Sequence, residues 1–129
     1  MKDLLQQKSF FFDKTVAISF AKMKNTRRTA MKRTYFTITG TNHYHGQDFL
    51  KTGIPVHLVK EPDNKYDSEA IKVELEGLGQ IGYVANSPYT VLGNSYSAGR
   101  LYDKIGDTAD GMILYVVTGG VLCYVENEN

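Results

Sequence analysis

Short runs along this chain alternate apolar and polar residues, a period of two that puts every second side chain on one face of an extended strand. Tyr35-Phe36-Thr37-Ile38-Thr39, Val56-His57-Leu58-Val59-Lys60, Ile71-Lys72-Val73-Glu74-Leu75 and Gln80-Ile81-Gly82-Tyr83-Val84 all carry it. Two runs near the end, Met112 to Thr118 and Val121 to Val125, are almost continuously apolar and also read as strands. The pattern predicts strands at about 35–40, 55–60, 70–76, 80–84, 112–118 and 121–125. In the fifth, Tyr115 and Val117 are expected on one side, with Leu114 and Val116 on the other. Upstream, Val16, Ile18 and Phe20 alternate as a strand would, and Met1 to Lys8 reads as a short helix.

Turn residues separate these runs. Glu76-Gly77-Leu78-Gly79 predicts a hairpin, and Gly119-Gly120 suits a two-residue one. Asn86 or Ser87 can cap a helix that starts at Pro88, holds Val91 and Leu92 inward and ends near Gly93 or Gly99. A shorter helical turn is expected around Leu101 to Ile105. Many short strands between turn signals indicate a mainly β sandwich or barrel.

Two loops gather the candidate chemistry. The run Glu61 to Val73 opens with Pro62, Asp63 and Asn64, residues that make turns by fixing φ or bonding their own backbone. It therefore holds Asn64, Tyr66 and Asp67 on a loop pinned between two strands, where recognition residues are often placed. The second loop is Gly40-Thr41-Asn42-His43-Tyr44-His45-Gly46. If both loops open on one edge of a sheet, they form a pocket of aromatic faces and hydrogen-bonding groups. Nucleobases stack on the former, while base edges and sugar hydroxyls need the latter.

The strand ending in Thr39-Gly40-Thr41, the cluster His43-Tyr44-His45-Gly46, the run Glu61 to Val73 and Gln80-Ile81-Gly82-Tyr83-Val84 resemble, in order and spacing, a HIRAN domain spanning residues 35–127. This is a small β-rich module of some Snf-type DNA helicases and ubiquitin ligases that also stands alone in bacterial proteins. The resemblance implies a small OB-fold-like β-barrel of about six strands with one or two short helices. It also implies binding of the 3′ end of single-stranded DNA. Two tyrosines would embrace the terminal bases, and an aspartate would bond the free 3′-hydroxyl. Carried over by position, the second tyrosine is Tyr66, the aspartate Asp67, and Asn64 a backbone-contacting asparagine. The first tyrosine falls on His43, with Tyr44 beside it. Asn42 stands where a basic residue precedes it, and Tyr83 stands where a histidine is found. The nucleic-acid-binding residues so implied are His43, Tyr44, Asn64, Tyr66, Asp67 and Tyr83.

Turn chemistry offers a plainer account of the same residues. Tyr66 can be a rim tyrosine closing the barrel, and Asp67 an Asx-turn residue or a strand cap. His43 and His45 alternate along a segment read as extended, which raises metal binding. The only cysteine, Cys123, is far off in an apolar strand, and no pair has zinc-site spacing, so no metal and no cofactor is expected. No G-x-x-x-x-G-K or G-x-S-x-G motif is present, and no catalytic residue is assigned. His57 reads as a solvated or satisfied strand residue, and Glu74 with Glu76 as one face of a strand. The chain is expected not to be an enzyme.

Charge changes the picture most. Residues 1–34 carry nine Lys/Arg against two Asp, a balance of +7, whereas residues 35–129 carry six against twelve Asp/Glu, a balance of −6. That asymmetry marks residues 1–34 as a basic extension or arm, read as weakly ordered around Lys22 to Thr34. Lys24, Arg27, Arg28, Lys32 and Arg33 are its candidate phosphate contacts, since nucleic-acid affinity rests largely on neutralised phosphates. The arm can equally dock on its own acidic domain. The acidic balance supports a second reading, a protein-interaction module whose barrel face docks a helicase or nuclease partner. At 129 residues the chain has room for one modest core. A lone cysteine, no apolar stretch of membrane-spanning length and no secretory signal lead to a cytoplasmic expectation without membrane association.

Overall fold

The computed structural model of the chain describes residues 31–128, of which Lys32–Asn127 form one compact unit. The predicted N-terminal helix and strand, and Lys24, Arg27 and Arg28, lie outside the described residues. Six strands are present among those described: β1 (Met31–Thr39), β2 (Pro55–Lys60), β3 (Ile71–Leu75), β4 (Gly79–Val84), β5 (Thr108–Val117) and β6 (Gly120–Glu128). They close into an antiparallel barrel in the order β1-β4-β3-β2-β5-β6. Closure leaves no unpaired sheet edge among the described residues. One short helix, α1 (Ala98–Tyr102), and a 3-10 turn, Thr41–His43, complete the described elements.

The barrel interior is the apolar phase of the alternation. Phe36, Ile38, Val56, Leu58, Ile71, Val73, Ile81, Ile113, Val121, Cys123 and Val125 are all buried in one cluster. Each fully buried Ile, Leu or Phe contributes about 1.5–3 kcal/mol through loss of apolar surface to water. Two bulges adjust the phase. In β5 the pairing steps from Ile113↔Cys123 to Tyr115↔Leu122, so Leu114 is the extra residue. Its carbonyl accepts from the Thr52 hydroxyl at 2.8 Å. Tyr115 and Val117 are thereby exposed, on the side opposite Val116, as the alternation requires.

The second bulge positions the candidate site. Pairing steps from Val73↔Gly82 to Glu74↔Gln80, which leaves Ile81 as the extra residue on β4. Ile81 and Val84 can then both face the core while Tyr83 faces outward. Gly82 is needed here, because a Cβ would stand 2.6 Å from the Thr39 carbonyl oxygen.

Three local expectations are corrected. The segment after Pro88 is not a helix. Thr90 N and Val91 N both donate to Ser87 O, at 2.9 and 3.0 Å, and the chain then leaves helical geometry. Leu92 N donates instead to Thr37 Oγ1 at 3.0 Å, and Tyr96 bridges to Phe36 of β1. Tertiary bonds to β1 outcompete a segment whose Thr90 and Val91 are poor helix formers. The helix begins later, at Ala98, and is capped by Ser97, whose hydroxyl accepts from Arg100 N. The final hairpin turns on Thr118-Gly119, with Val117 paired to Gly120, one residue earlier than Gly119-Gly120. Finally, β1 starts at Met31, so Lys32 and Arg33 belong to a barrel strand. Among the described residues, no helix is long and apolar enough to cross a membrane.

Candidate nucleic-acid interface

Tyr83 is where the two loops meet. Turned outward by the β4 bulge, it donates its hydroxyl to Glu61 Oε1 at 2.8 Å and lies 3.5 Å from Asn64 Nδ2. The Tyr44 ring packs against it, with centroids 6.5 Å apart and planes at 59°. The loops at 40–46 and 61–70 thus open on the same side of the sheet. Gln80 lowers the Tyr83 pKa, but partial burial and the adjacent Glu61 carboxylate outweigh it and hold the phenol above its ordinary range. Tyr83 is therefore a neutral donor at any physiological pH.

The 61–70 loop is built by its own side chains. Asn64 Oδ1 accepts from Tyr66 N at 2.9 Å and Asp67 N at 3.1 Å, an Asx-type turn that replaces backbone pairing. Its Nδ2 donates to Glu61 Oε1 at 3.1 Å. Asp67 Oδ1 accepts from Glu69 N at 2.9 Å, and Oδ2 accepts from Asn86 Nδ2 at 2.8 Å. Asn86 Oδ1 in turn accepts from Gly99 N at 2.9 Å, in the first turn of α1. Both carboxylate oxygens are thus held in place. A carboxylate offers about four acceptor sites, so two remain for a ligand hydroxyl.

Tyr66 differs from the hydrogen-bonded Asn64 and Asp67 on either side of it. Its side chain is 93% exposed, so it does not close the barrel. The turn account holds for Asn64 and Asp67 but gives no role to this ring. A large aromatic left in water on a loop braced at both ends offers a flat face on which a ligand ring can stack.

The other sequence candidates fall into place around this centre. His43 ends the 3-10 turn and is exposed, its N–H donating to Gly40 O at 3.0 Å. Because that turn is helical, His43 and His45 are not paired along an extended strand. Among the described residues, no group of three or more His, Cys, Asp or Glu lies close enough to hold a metal ion. Arg33 is engaged within the barrel: its guanidinium stacks 4.0 Å from the Tyr124 centroid and pairs with Glu126 at 3.5 Å. Lys32 is exposed on the same strand.

The HIRAN domain model matches residues 31–116. The chain belongs to the HIRAN domain family. HIRAN domains are known as nucleic-acid-binding modules of helicases, and this match covers β1 through most of β5. The HIRAN domain of human HLTF, a crystal structure, is 19% identical over 78% of each chain, with a TM-score of 0.48. A crystal structure of a protein from Lactobacillus plantarum is 24% identical over 76% of this chain and 100% of that one, with a TM-score of 0.46. No curated protein matches the sequence.

Two residues of this HIRAN face escape a reading of the sequence. Glu61 joins Tyr83 to Asn64, and its signal was its place at the head of the turn run. Asn86 carries a capping signature, but it caps in space: it reaches Gly99 of α1, thirteen residues on from itself, and Asp67 on another loop. Capping statistics read only along the chain.

A separate groove of ≈ 330 Å³ lies across β2, β3 and β5, lined by Val56, Leu75, His57, Glu74, Glu76 and Asp110. Cross-strand register puts His57 opposite both Glu74 and Asp110, and His57 Nδ1 lies 2.8 Å from Asp110 Oδ1. Glu74 pairs with Lys72 at 3.3 Å, while Glu76 sits in the turn beyond β3 and not on the strand.

Proposed function

We propose that this HIRAN domain binds the 3′ end of single-stranded nucleic acid, DNA in the first instance, on the face shared by the 40–46 and 61–70 loops. The terminal base stacks on Tyr66, Asp67 accepts the hydrogen bond of the free 3′-hydroxyl, and Tyr44 and His43 border the site. Asn64 holds the backbone that carries both groups, and Tyr83 braces Asn64 through Glu61. The observation that carries this reading is the pairing of a ring 93% exposed with a carboxylate fixed at both oxygens by Glu69 N and Asn86 Nδ2. The activity is recognition without catalysis, in support of a helicase or nuclease that acts on the bound end.

Magnitude limits affinity. A base–aromatic stack contributes about 1–3 kcal/mol, and the barrel's acidic balance opposes phosphate, so binding is expected at about micromolar Kd or weaker. The test is fluorescence anisotropy of a labelled oligothymidine at low salt, with the 3′ end free or phosphorylated. A phosphate both removes the hydroxyl donor and faces Asp67 with like charge. Preference for the free hydroxyl supports end reading, and equal binding of both strands refutes it.

The groove beside His57 favours a second reading, docking of a protein partner. Its apolar floor and the Glu74, Glu76 and Asp110 rim fit a basic peptide. Binding of that kind would persist when Tyr66 is removed.

A further inference from the structure

The site just described accounts for one terminal nucleotide, whereas OB-like barrels engage about 4–16 nucleotides per domain. The rest of the strand needs a path. The Asp67–Asn86 hydrogen bond points to it, because Asn86 also opens a cleft of ≈ 610 Å³ lined by Pro88, Val91, Asn94, Ser97 and Arg100 among others.

Two features of this cleft match single-stranded nucleic acid. First, Tyr89 stands beside it with 94% of its side chain exposed. Its position is fixed, because Tyr89 N donates to Ser87 Oγ at 3.2 Å and the next two N–H groups close on Ser87 O. Three residues span at most about 11 Å, so Tyr89 lies within a nucleotide or two of Asn86. Second, Arg100 of α1 lines the far wall, and Lys104 follows two residues beyond the helix, after Asp103. The Tyr96 ring carries the Arg100 guanidinium at 4.0 Å and the Lys104 ammonium at 5.9 Å. Among the described residues neither cation pairs with a carboxylate. The Glu69 carboxylate lies against Gly99, in the first turn of α1.

We infer that the cleft between Tyr89 and Arg100 is a second nucleotide subsite, in which Tyr89 stacks a base upstream of the terminal one while Arg100 and Lys104 hold its phosphates. The order of the nucleotides rests on the end-reading proposal; the subsite itself does not. It gives an acidic barrel a local phosphate-binding wall.

The test uses the full chain and ten-residue oligothymidine with a free or phosphorylated 3′ end. Tyr89→Ala is expected to weaken binding of the free-end strand by about 5- to 150-fold while keeping the wild-type ratio between the two ends. Arg100→Gln combined with Lys104→Gln is expected to flatten the slope of log K against log salt by about 1.4, two phosphates at about 0.7 each. All three positions are exposed, so Tyr89→Ala should melt as wild type does, and the double variant should melt only slightly lower, through loss of its cation–π contacts with Tyr96. Wild-type affinity in Tyr89→Ala, or a wild-type slope in the double variant, overturns the subsite. If the wild type binds both ends equally and Tyr89→Ala is still weaker, the subsite stands and the end reading falls. If the wild type binds neither strand, both fall.

Discussion

Asn86 Nδ2 donates to Asp67 Oδ2 at 2.8 Å, and this bond ties the 61–70 loop to the turn after β4. It joins segments nineteen residues apart and fixes a carboxylate that would otherwise rotate. Pre-set geometry of this kind reduces the ordering cost on binding. Asn86→Ala should therefore weaken binding of a free 3′ end several-fold with little change at a 3′-phosphorylated one. Anisotropy titrations of both strands check this.

Removing the Tyr66 ring should separate binding from stability. The Tyr66 ring is almost wholly in water, so Tyr66→Ala should leave the unfolding free energy from urea melts within about 0.5 kcal/mol of wild type. Affinity for single-stranded DNA should fall by about 5- to 150-fold, the loss of one stack. Tyr66→Phe should retain most of it, since the ring and not the hydroxyl does the stacking.

Asn64 has the opposite profile. Its Oδ1 accepts two backbone N–H groups, so Asn64→Ala removes both bonds, at about 0.5–1.5 kcal/mol each. Amide hydrogen exchange should quicken at Tyr66 and Asp67 while the barrel strands stay protected. Unchanged exchange at those amides would show that the turn does not depend on Asn64.

Cys123 makes stability sensitive to alkaline pH. Burial pushes its thiol up to about 12 from an ordinary value of 9.0. A raised folded pKa gives stability that is complete below the unfolded pKa and is lost as pH rises toward the folded one. Between about pH 9 and 12 the unfolded chain has released this proton and the folded chain has not, so unfolding free energy falls by about 1.4 kcal/mol per pH unit. Urea melts of wild type and Cys123→Val at pH 8 and 10.5 check this: the gap between them should narrow or reverse at the higher pH. The raised Tyr83 pKa adds in the same direction in both proteins.

The sequence carried most of the barrel because alternation survives burial. β2 (Pro55–Lys60) matches its predicted bounds, and β3 and β4 fall within a residue of theirs. The pattern faltered where tertiary bonds decide the local structure. Leu92 N is captured by Thr37 Oγ1, which ends the predicted Pro88 helix, and the tight 3-10 turn at Thr41–His43 looks extended to a period-two reading. For the candidate site, turn chemistry located Asn64, Tyr66 and Asp67 on one loop. It did not reveal that Tyr83 joins that loop to Tyr44, since this depends on a bulge at Ile81 that no residue type announces.

The central claim is that a strand end sits on the 61–70 loop. Amide chemical shifts followed by NMR during titration with a short oligothymidine bearing a free 3′-hydroxyl test it most directly. The largest changes are predicted at Asn64, Tyr66, Asp67 and Asn86, and they should shrink when the 3′ end is phosphorylated. Changes confined to the groove around His57 and Asp110, with the 61–70 amides unmoved, would contradict the claim.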